Sequence, residues 1–250
     1  MIKKLGVQLY TIRDFMQTAS DIRESFKKLK DMGIDQAQTA GCAIPYEEYG
    51  QIAREEGIEI VGTHDVFAVM RDDFDLAYKN HQALGTNIMG IGGYFKLEVP
   101  VIEQFIKDAN VICSKIGAKG GKFTYHNHSG EFIRLSNGKT MMEMLMEDFD
   151  TVNGSFCLDT YWVQHGGGDV RHWIEMLSGK IDILHLKDMA KNSETQFITE
   201  VGNGNLYWEG ILETAHNAGV KYYVIEQDTC PGNPFDSLKQ SVNYLKQFMA

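Results

Sequence analysis

Acid and imidazole side chains recur in this sequence where short apolar runs stop. Tyr125-His126-Asn127-His128 closes one run, and Leu158-Asp159-Thr160 closes the next. Ile183-Leu184-His185-Leu186-Lys187-Asp188 and Val224-Ile225-Glu226-Gln227-Asp228 follow the same pattern. Earlier runs end in Gln8-Leu9-Tyr10 and Thr63-His64-Asp65. A single His or Asp after a strand is ordinarily a loop residue or a helix cap. One metal-competent residue at the end of each of four consecutive apolar runs is hard to explain as packing. His126, Asp159, His185 and Glu226 are therefore the expected ligands of one divalent metal ion. Carboxylates with imidazoles suit Mn2+, Co2+, Mg2+ or Zn2+ and do not choose among them.

Residues so far apart in sequence meet only if the elements between them bring the run ends to one rim. The chain repeats an order of amphipathic helix, Gly, apolar run, with helices expected to stop at Gly33, Gly57, Gly85, Gly117 and Gly219. Glycine there suits a left-handed helix stop. Apolar runs begin near Leu5, Ile34, Ile58, Thr86, Ala118, Ser155, Ile181 and Val220, which makes eight. Ile22, Phe26, Leu29 and Met32 share a face of the first helix, with Thr18 and Asp21 placed as a capping box. Ile102, Phe105, Ile106, Ala109, Ile112 and Ile116 form a second stripe. Asn233 and Pro234 read as the cap and first position of the last helix. Strands alternating with helices imply a parallel sheet with right-handed crossovers. Eight units in 250 residues favour closure into a single-domain (β/α)8 TIM barrel spanning residues 1–250, with function at the carboxyl ends of the strands. The stretch from Met189 to Tyr207 is expected to be a long loop after the seventh strand.

Composition narrows the chemistry. A net charge of −10 argues against a phosphate-backbone partner, so no nucleic acid is expected. No run approaches the roughly 18 apolar residues of a membrane span. Cys42, Cys113, Cys157 and Cys230 are widely spread, without a CxxC pair, and are expected to be reduced thiols of a cytoplasmic protein. The N-terminus reads as the start of the first strand rather than as a signal peptide.

Gly6-Val7-Gln8-Leu9-Tyr10-Thr11-Ile12-Arg13-Asp14 resembles the opening of xylose isomerase-like barrel proteins of the sugar phosphate isomerase/epimerase family. Tyr125-His126-Asn127-His128, His185-Leu186-Lys187-Asp188, Val201-Gly202-Asn203-Gly204 and Ile225-Glu226-Gln227-Asp228 resemble later motifs of the same family, in the same order. The resemblance spans nearly the whole chain. It implies one divalent metal held from the fifth to eighth strands, and matching motifs carry three of its ligand roles to Asp159, His185 and Glu226. At the fifth strand many relatives have Glu-x-His, or Glu with a nearby Asn, where this chain has His126-Asn127-His128. The simplest alignment puts His126 in the ligand position and His128 where some relatives carry a catalytic His. The family's ketose 3-epimerases use two metal-bound glutamates on opposite faces of the substrate. This chain keeps only Glu226, which puts a symmetrical two-glutamate epimerisation in doubt.

The expected activity is isomerisation or epimerisation of a sugar, keto-sugar or cyclitol through an enediolate, with Glu226, His128 or His64 moving the proton. Loss of a leaving group, as in inosose dehydratases, is the alternative on the same site. AP-endonuclease-like proteins share the fold but use a three-metal cluster and a basic surface, which this acidic chain lacks. A sugar-binding protein that holds a metal without catalysis is a further reading. Lys187 shares a strand side with His185 and is expected to meet a substrate oxygen, or else a salt bridge to Asp188 or Glu200. His64 is expected to position a hydroxyl, and Trp162 and Phe67 to stack on a sugar ring. Glu131 either reaches the metal or holds a loop. The Val201–Asn205 glycine segment reads as a turn rather than a phosphate cradle. His81 and His216 are expected at a surface or interface, and His165 beside the site. Homo-oligomerisation is compatible with the fold.

Overall fold

Each helix of the chain has one buried stripe, and each barrel strand is buried on both sides. Together these leave little freedom in how the layers stack. The structure, a computed structural model, describes residues 2–249. Its strands are β1 (Leu5–Gln8), β2 (Gln36–Ala40), β3 (Glu59–His64), β4 (Ile88–Ile91), β5 (Lys122–His126), β6 (Gly154–Asp159) and β7 (Ile181–Leu186). A hairpin of β8 (Asp188–Lys191) and β9 (Gln196–Thr199) follows, and then β10 (Tyr222–Ile225), the eighth barrel strand. The helices are α1 (Ala19–Asp31), α2 (Tyr46–Glu55), α3 (Phe67–Asp72), α4 (Phe74–Leu84), α5 (Val99–Gly117), α6 (Met141–Asp148), α7 (Thr160–His165), α8 (Val170–Met176), α9 (Trp208–Asn217) and α10 (Pro234–Leu245).

The parallel ladder runs β3-β2-β1-β10-β7-β6-β5-β4, a nearly closed single-domain (β/α)8 TIM barrel with helices between the strands. The seam between β3 and β4 is closed differently from the ladder. Asp65 N–H donates to Gly90 O at 2.8 Å, and Gly90 N–H donates to the Thr63 hydroxyl at 3.1 Å. The strands approach so closely at Gly90 that a Cβ there would collide with the Thr63 carbonyl and the Thr124 hydroxyl. The Thr63 hydroxyl in turn lies 2.7 Å from His81 Nε2, and His81 Nδ1–H donates to Ala77 O at 2.6 Å. His81 is thus a buried link between α4 and the seam, where the sequence suggested a surface residue. Burial holds it below the usual imidazole range.

Local signals govern most helix ends. The Thr18–Asp21 capping box opens α1, and the Asn233 side chain caps α10 ahead of Pro234. Gly33, Gly57, Gly85 and Gly219 adopt left-handed φ values at their helix stops. At the end of α5 that role passes from Gly117, which is helical, to Gly120 with φ 75°. The expected loop after β7 is in part the antiparallel β8–β9 hairpin. Its turn is held by Asn192 Oδ1, which accepts from the N–H groups of Glu194 and Thr195 at 2.8 Å each. Beyond it the chain wraps round the buried Asp188 carboxylate. Trp208 Nε1 donates to Asp188 at 2.7 Å, and the Gly202, Gly204 and Leu206 amides donate at 2.8, 3.2 and 3.3 Å. Among the described residues, no helix is long and apolar enough to cross a membrane.

Candidate functional site

Alternation along the strands sends every second side chain into the barrel. Val61, Cys157, Ile183 and Val224 form an apolar layer there. One step nearer the carboxyl ends of β5, β6, β7 and β10 come His126, Asp159, His185 and Glu226, with one ligating atom of each within 4.8 Å of all the others. All four are buried, with Asp159 and His185 fully so. β-Sheet register accounts for part of this convergence, since Asp159 pairs directly with His185 and His185 with Val224.

Each side chain is oriented by a second partner. Asp159 Oδ1 accepts from Trp162 N–H at 2.9 Å as the cap of α7, leaving Oδ2 to face the cluster. His126 Nδ1 lies 3.3 Å from the Gly92 carbonyl. Its Nδ1–H therefore donates there, and Nε2 faces Asp159 Oδ2 at 3.4 Å and Glu226 Oε2 at 3.9 Å. His185 Nε2 lies 2.6 Å from Gln38 Oε1, which also accepts from Gln8 Nε2 at 3.0 Å. His185 Nδ1 is 2.8 Å from Glu226 Oε2, yet it is not aligned for a hydrogen bond and is left as an orphaned buried nitrogen. A ring nitrogen held in this way, beside two carboxylates and a second imidazole, fits a divalent cation.

Lys187 completes the cluster. Its buried ammonium lies 3.2 Å from Asp159, 3.0 Å from Glu226 and 2.8 Å from Asp228, and sits over the Trp162 ring. The alternative salt bridges to Asp188 and Glu200 are not made. Burial works against the Lys187 charge, but Asp159, Glu226 and Asp228 more than offset it and raise its pKa. Burial likewise opposes the charges of Asp159 and Glu226, yet Lys187 holds both carboxylates below their usual range. Three carboxylates against one ammonium leave two negative charges when the imidazoles are neutral, which matches a dication.

Above the cluster opens a pocket of about 520 Å³, within the usual range for a small-molecule site. Its inner wall carries His64, His126, His128, Lys187, Glu226 and Asp228. Tyr10, Asp65 and Phe95 also line it. Burial and the neighbouring His126 depress His64 and push His128 down to about 3. Gln8 Nε2 lies 3.2 Å from His64 Nδ1, so His64 accepts there and presents Nε2–H without a protein partner. His128 N–H donates to Glu131 Oε2 at 3.0 Å, and the Tyr125 hydroxyl donates to Oε1 at 2.7 Å. Glu131 therefore holds the loop beneath His128 and stands outside the metal-competent cluster.

Some expected residues lie elsewhere. Phe67 packs on Phe105, with ring centroids 4.8 Å apart, and does not line the pocket. The exposed aromatics lining the pocket are Tyr10 and Phe95, the latter 5.1 Å from the His128 ring. Trp162 also lies 5.1 Å from His128. His165 is exposed and outside the pocket lining. Asp65, Asp228, Phe95 and Gln38 were missed by sequence reasoning. Asp228 carried a signal, since it lies two residues after Glu226 and so on the same side of the chain.

Three known proteins frame this geometry. An inosose dehydratase from Geobacillus thermodenitrificans is 25% identical over 147 residues, covering 52% of this chain and 48% of that protein. The match spans about half the length of the curated relatives. The structure of a sugar phosphate isomerase/epimerase from Parabacteroides distasonis superposes with a TM-score of 0.83 at 22% identity, covering 98% of this chain and 93% of that one. A probable 3-DHS dehydratase, AsbF, from Bacillus anthracis gives a TM-score of 0.74 at 13% identity, covering 97% and 98%. At those identities the two structures share the fold. The pattern of one family matches residues 26–248, nearly the whole barrel, and the chain belongs to that family, the xylose isomerase-like TIM barrels.

Proposed function

We propose that this protein is a divalent-metal-dependent isomerase or epimerase acting on a sugar, keto-sugar or cyclitol through an enediolate intermediate. The observation that carries the reading is the convergence of His126, Asp159, His185 and Glu226 beneath an open pocket, with His185 Nδ1 left unpaired. A divalent cation held by these residues would draw electron density from a substrate carbonyl and its neighbouring hydroxyl, acidifying the adjacent carbon and stabilising the enediolate.

The chain's own groups supply the remaining steps. Glu226, a carboxylate on the pocket wall, takes the proton from the carbon beside the carbonyl. His128, neutral and with an unpartnered Nδ1, is the second group able to accept or return a proton. Lys187 stays protonated and steadies the negative charge that develops on oxygen. His64 Nε2–H donates to a substrate hydroxyl, and Phe95 covers an apolar ring face.

The same proton abstraction followed by expulsion of a β-hydroxyl would make the protein a dehydratase. The presence of one glutamate in the quartet, with His126 at the fifth strand, favours this second reading, as does the similarity to inosose dehydratases. Product analysis separates the two. Metal-loaded protein is incubated with ketoses and inososes, and products are identified by mass and NMR. An isomer of unchanged mass supports isomerisation or epimerisation, and loss of water supports dehydration. Absence of any product across the panel would count against both.

A further inference from the structure

We infer that the pocket takes an uncharged, unphosphorylated polyhydroxy carbonyl compound, and that Asp65 is the residue that receives one of its hydroxyls and turns away a phosphate ester. This deepens the reading above and rests on it for the identity of the pocket as the substrate site.

The charge around the pocket is the first ground. Among the described residues lining it, Lys187 is the one permanent cation, and three carboxylates already hold it at 2.8–3.2 Å. Asp65, Glu226 and Asp228 line the same space. Asp65 is 13% exposed, and its nearest basic neighbour is the imidazole of His81 at 3.9 Å. A phosphate group entering the pocket meets carboxylate oxygens on the wall and no free ammonium or guanidinium. Arg13 directs its guanidinium onto the Tyr10 ring and onto the carbonyls of Tyr10 and Asp228.

The second ground is the fate of the backbone amides. In α/β barrels a phosphate is commonly bound by the loops after the last two barrel strands. Here the glycine segment after β9 gives its Gly202, Gly204 and Leu206 N–H groups to the Asp188 carboxylate. After β10, Gln227 N–H donates to the Thr11 hydroxyl at 3.0 Å, and Asn233 Oδ1 occupies the first turn of α10 through Phe235 N–H. These five amides are thus already engaged within the protein.

The third ground is the way Asp65 is held. The Tyr46 hydroxyl lies 2.8 and 2.9 Å from the two Asp65 oxygens, and Asp65 N–H is fixed to Gly90 O across the seam. Each carboxylate oxygen keeps a free lone pair. A fixed acceptor at the pocket wall suits a hydroxyl group. It also repels an anion, and discrimination that leaves a charge facing a charge is steep.

The test measures binding, so it does not depend on turnover. Mg2+-loaded protein is titrated by calorimetry with fructose and fructose 6-phosphate, ribulose and ribulose 5-phosphate, myo-inosose, and inorganic phosphate. At least one unphosphorylated compound is expected to bind about tenfold or more tightly than its ester, and inorganic phosphate is expected not to compete. Asp65→Asn should narrow that gap from both sides, weakening the free compound and improving the ester. Tyr46→Phe keeps the carboxylate and should weaken the free compound without admitting the ester. Circular dichroism confirms that each variant is folded. Esters binding as tightly as their parents, no binding by any unphosphorylated compound, or an unchanged gap in folded Asp65→Asn would each overturn the inference. Selective binding without deuterium exchange in the same samples would remove the enolisation and leave the substrate class standing.

Discussion

Glu226 stands where three demands meet, because its Oε2 faces His185 at 2.8 Å, Lys187 at 3.0 Å and His126 at 3.9 Å. Glu226→Gln keeps the volume and removes the charge, so turnover should fall at least about 100-fold while circular dichroism stays that of the folded parent. Near-normal turnover would remove Glu226 from the chemistry. Glu200 makes a different prediction. Burial opposes its charge, but the Ser237 hydroxyl, at 2.7 Å, and further donors from its own backbone, Thr199 and Asn203 lower it to about 2. A depressed folded-state pKa adds stability above the usual glutamate range, and that stability is lost as pH falls through about 2. Glu200→Gln should therefore cost about 1 kcal/mol near pH 7, with the difference from the parent shrinking below about pH 4 in acid unfolding curves. A difference independent of pH would contradict the assignment. The quartet was legible because each member directly follows an apolar run. Asp65, Phe95 and Gln38 were not, since their importance comes from neighbours on other strands and loops. His81 was misplaced because a helical histidine is usually exposed, and the Thr63 hydroxyl on another element draws it inward.

Strands and helices declared themselves through period and punctuation, and the exceptions are instructive. The capping boxes and glycine stops are local chemistry, readable within a few residues. The β8–β9 hairpin escaped because its strands are short and pair only with each other, and the Asp188 carboxylate that gathers the following loop acts across up to 20 residues. Gly117 was assigned the left-handed stop that Gly120 takes, a choice that depends on how the last turn of α5 unwinds. The seam between β3 and β4 is the element-scale feature most exposed to test. A Cβ at position 90 has no room beside the Thr63 carbonyl and Thr124 hydroxyl, and neither strand can retreat without opening the barrel. Gly90→Ala should destabilise the protein by about 2–3 kcal/mol in denaturant unfolding. A variant as stable as the parent would show that the seam is looser than drawn.

At the scale of the molecule, eight strand–helix units bring residues up to 100 positions apart in sequence to one end of a barrel. That count, and the family resemblance, were legible from the repeat of helix, glycine and apolar run. The irregular β3–β4 seam and the net negative pocket emerge only when the barrel closes, because each depends on residues far apart in sequence. The architecture places three carboxylates, one ammonium and two oriented imidazoles under one small cavity, and the account stands on their acting together. The measurement that tests this most directly is solvent deuterium incorporation in D2O, read by mass spectrometry, with Mn2+-loaded protein and the panel of ketoses and inososes. The account predicts exchange at the carbon beside the carbonyl, lost on chelation and restored by the metal. Bound metal with no exchange into any substrate or product, or exchange that survives chelation, would contradict it.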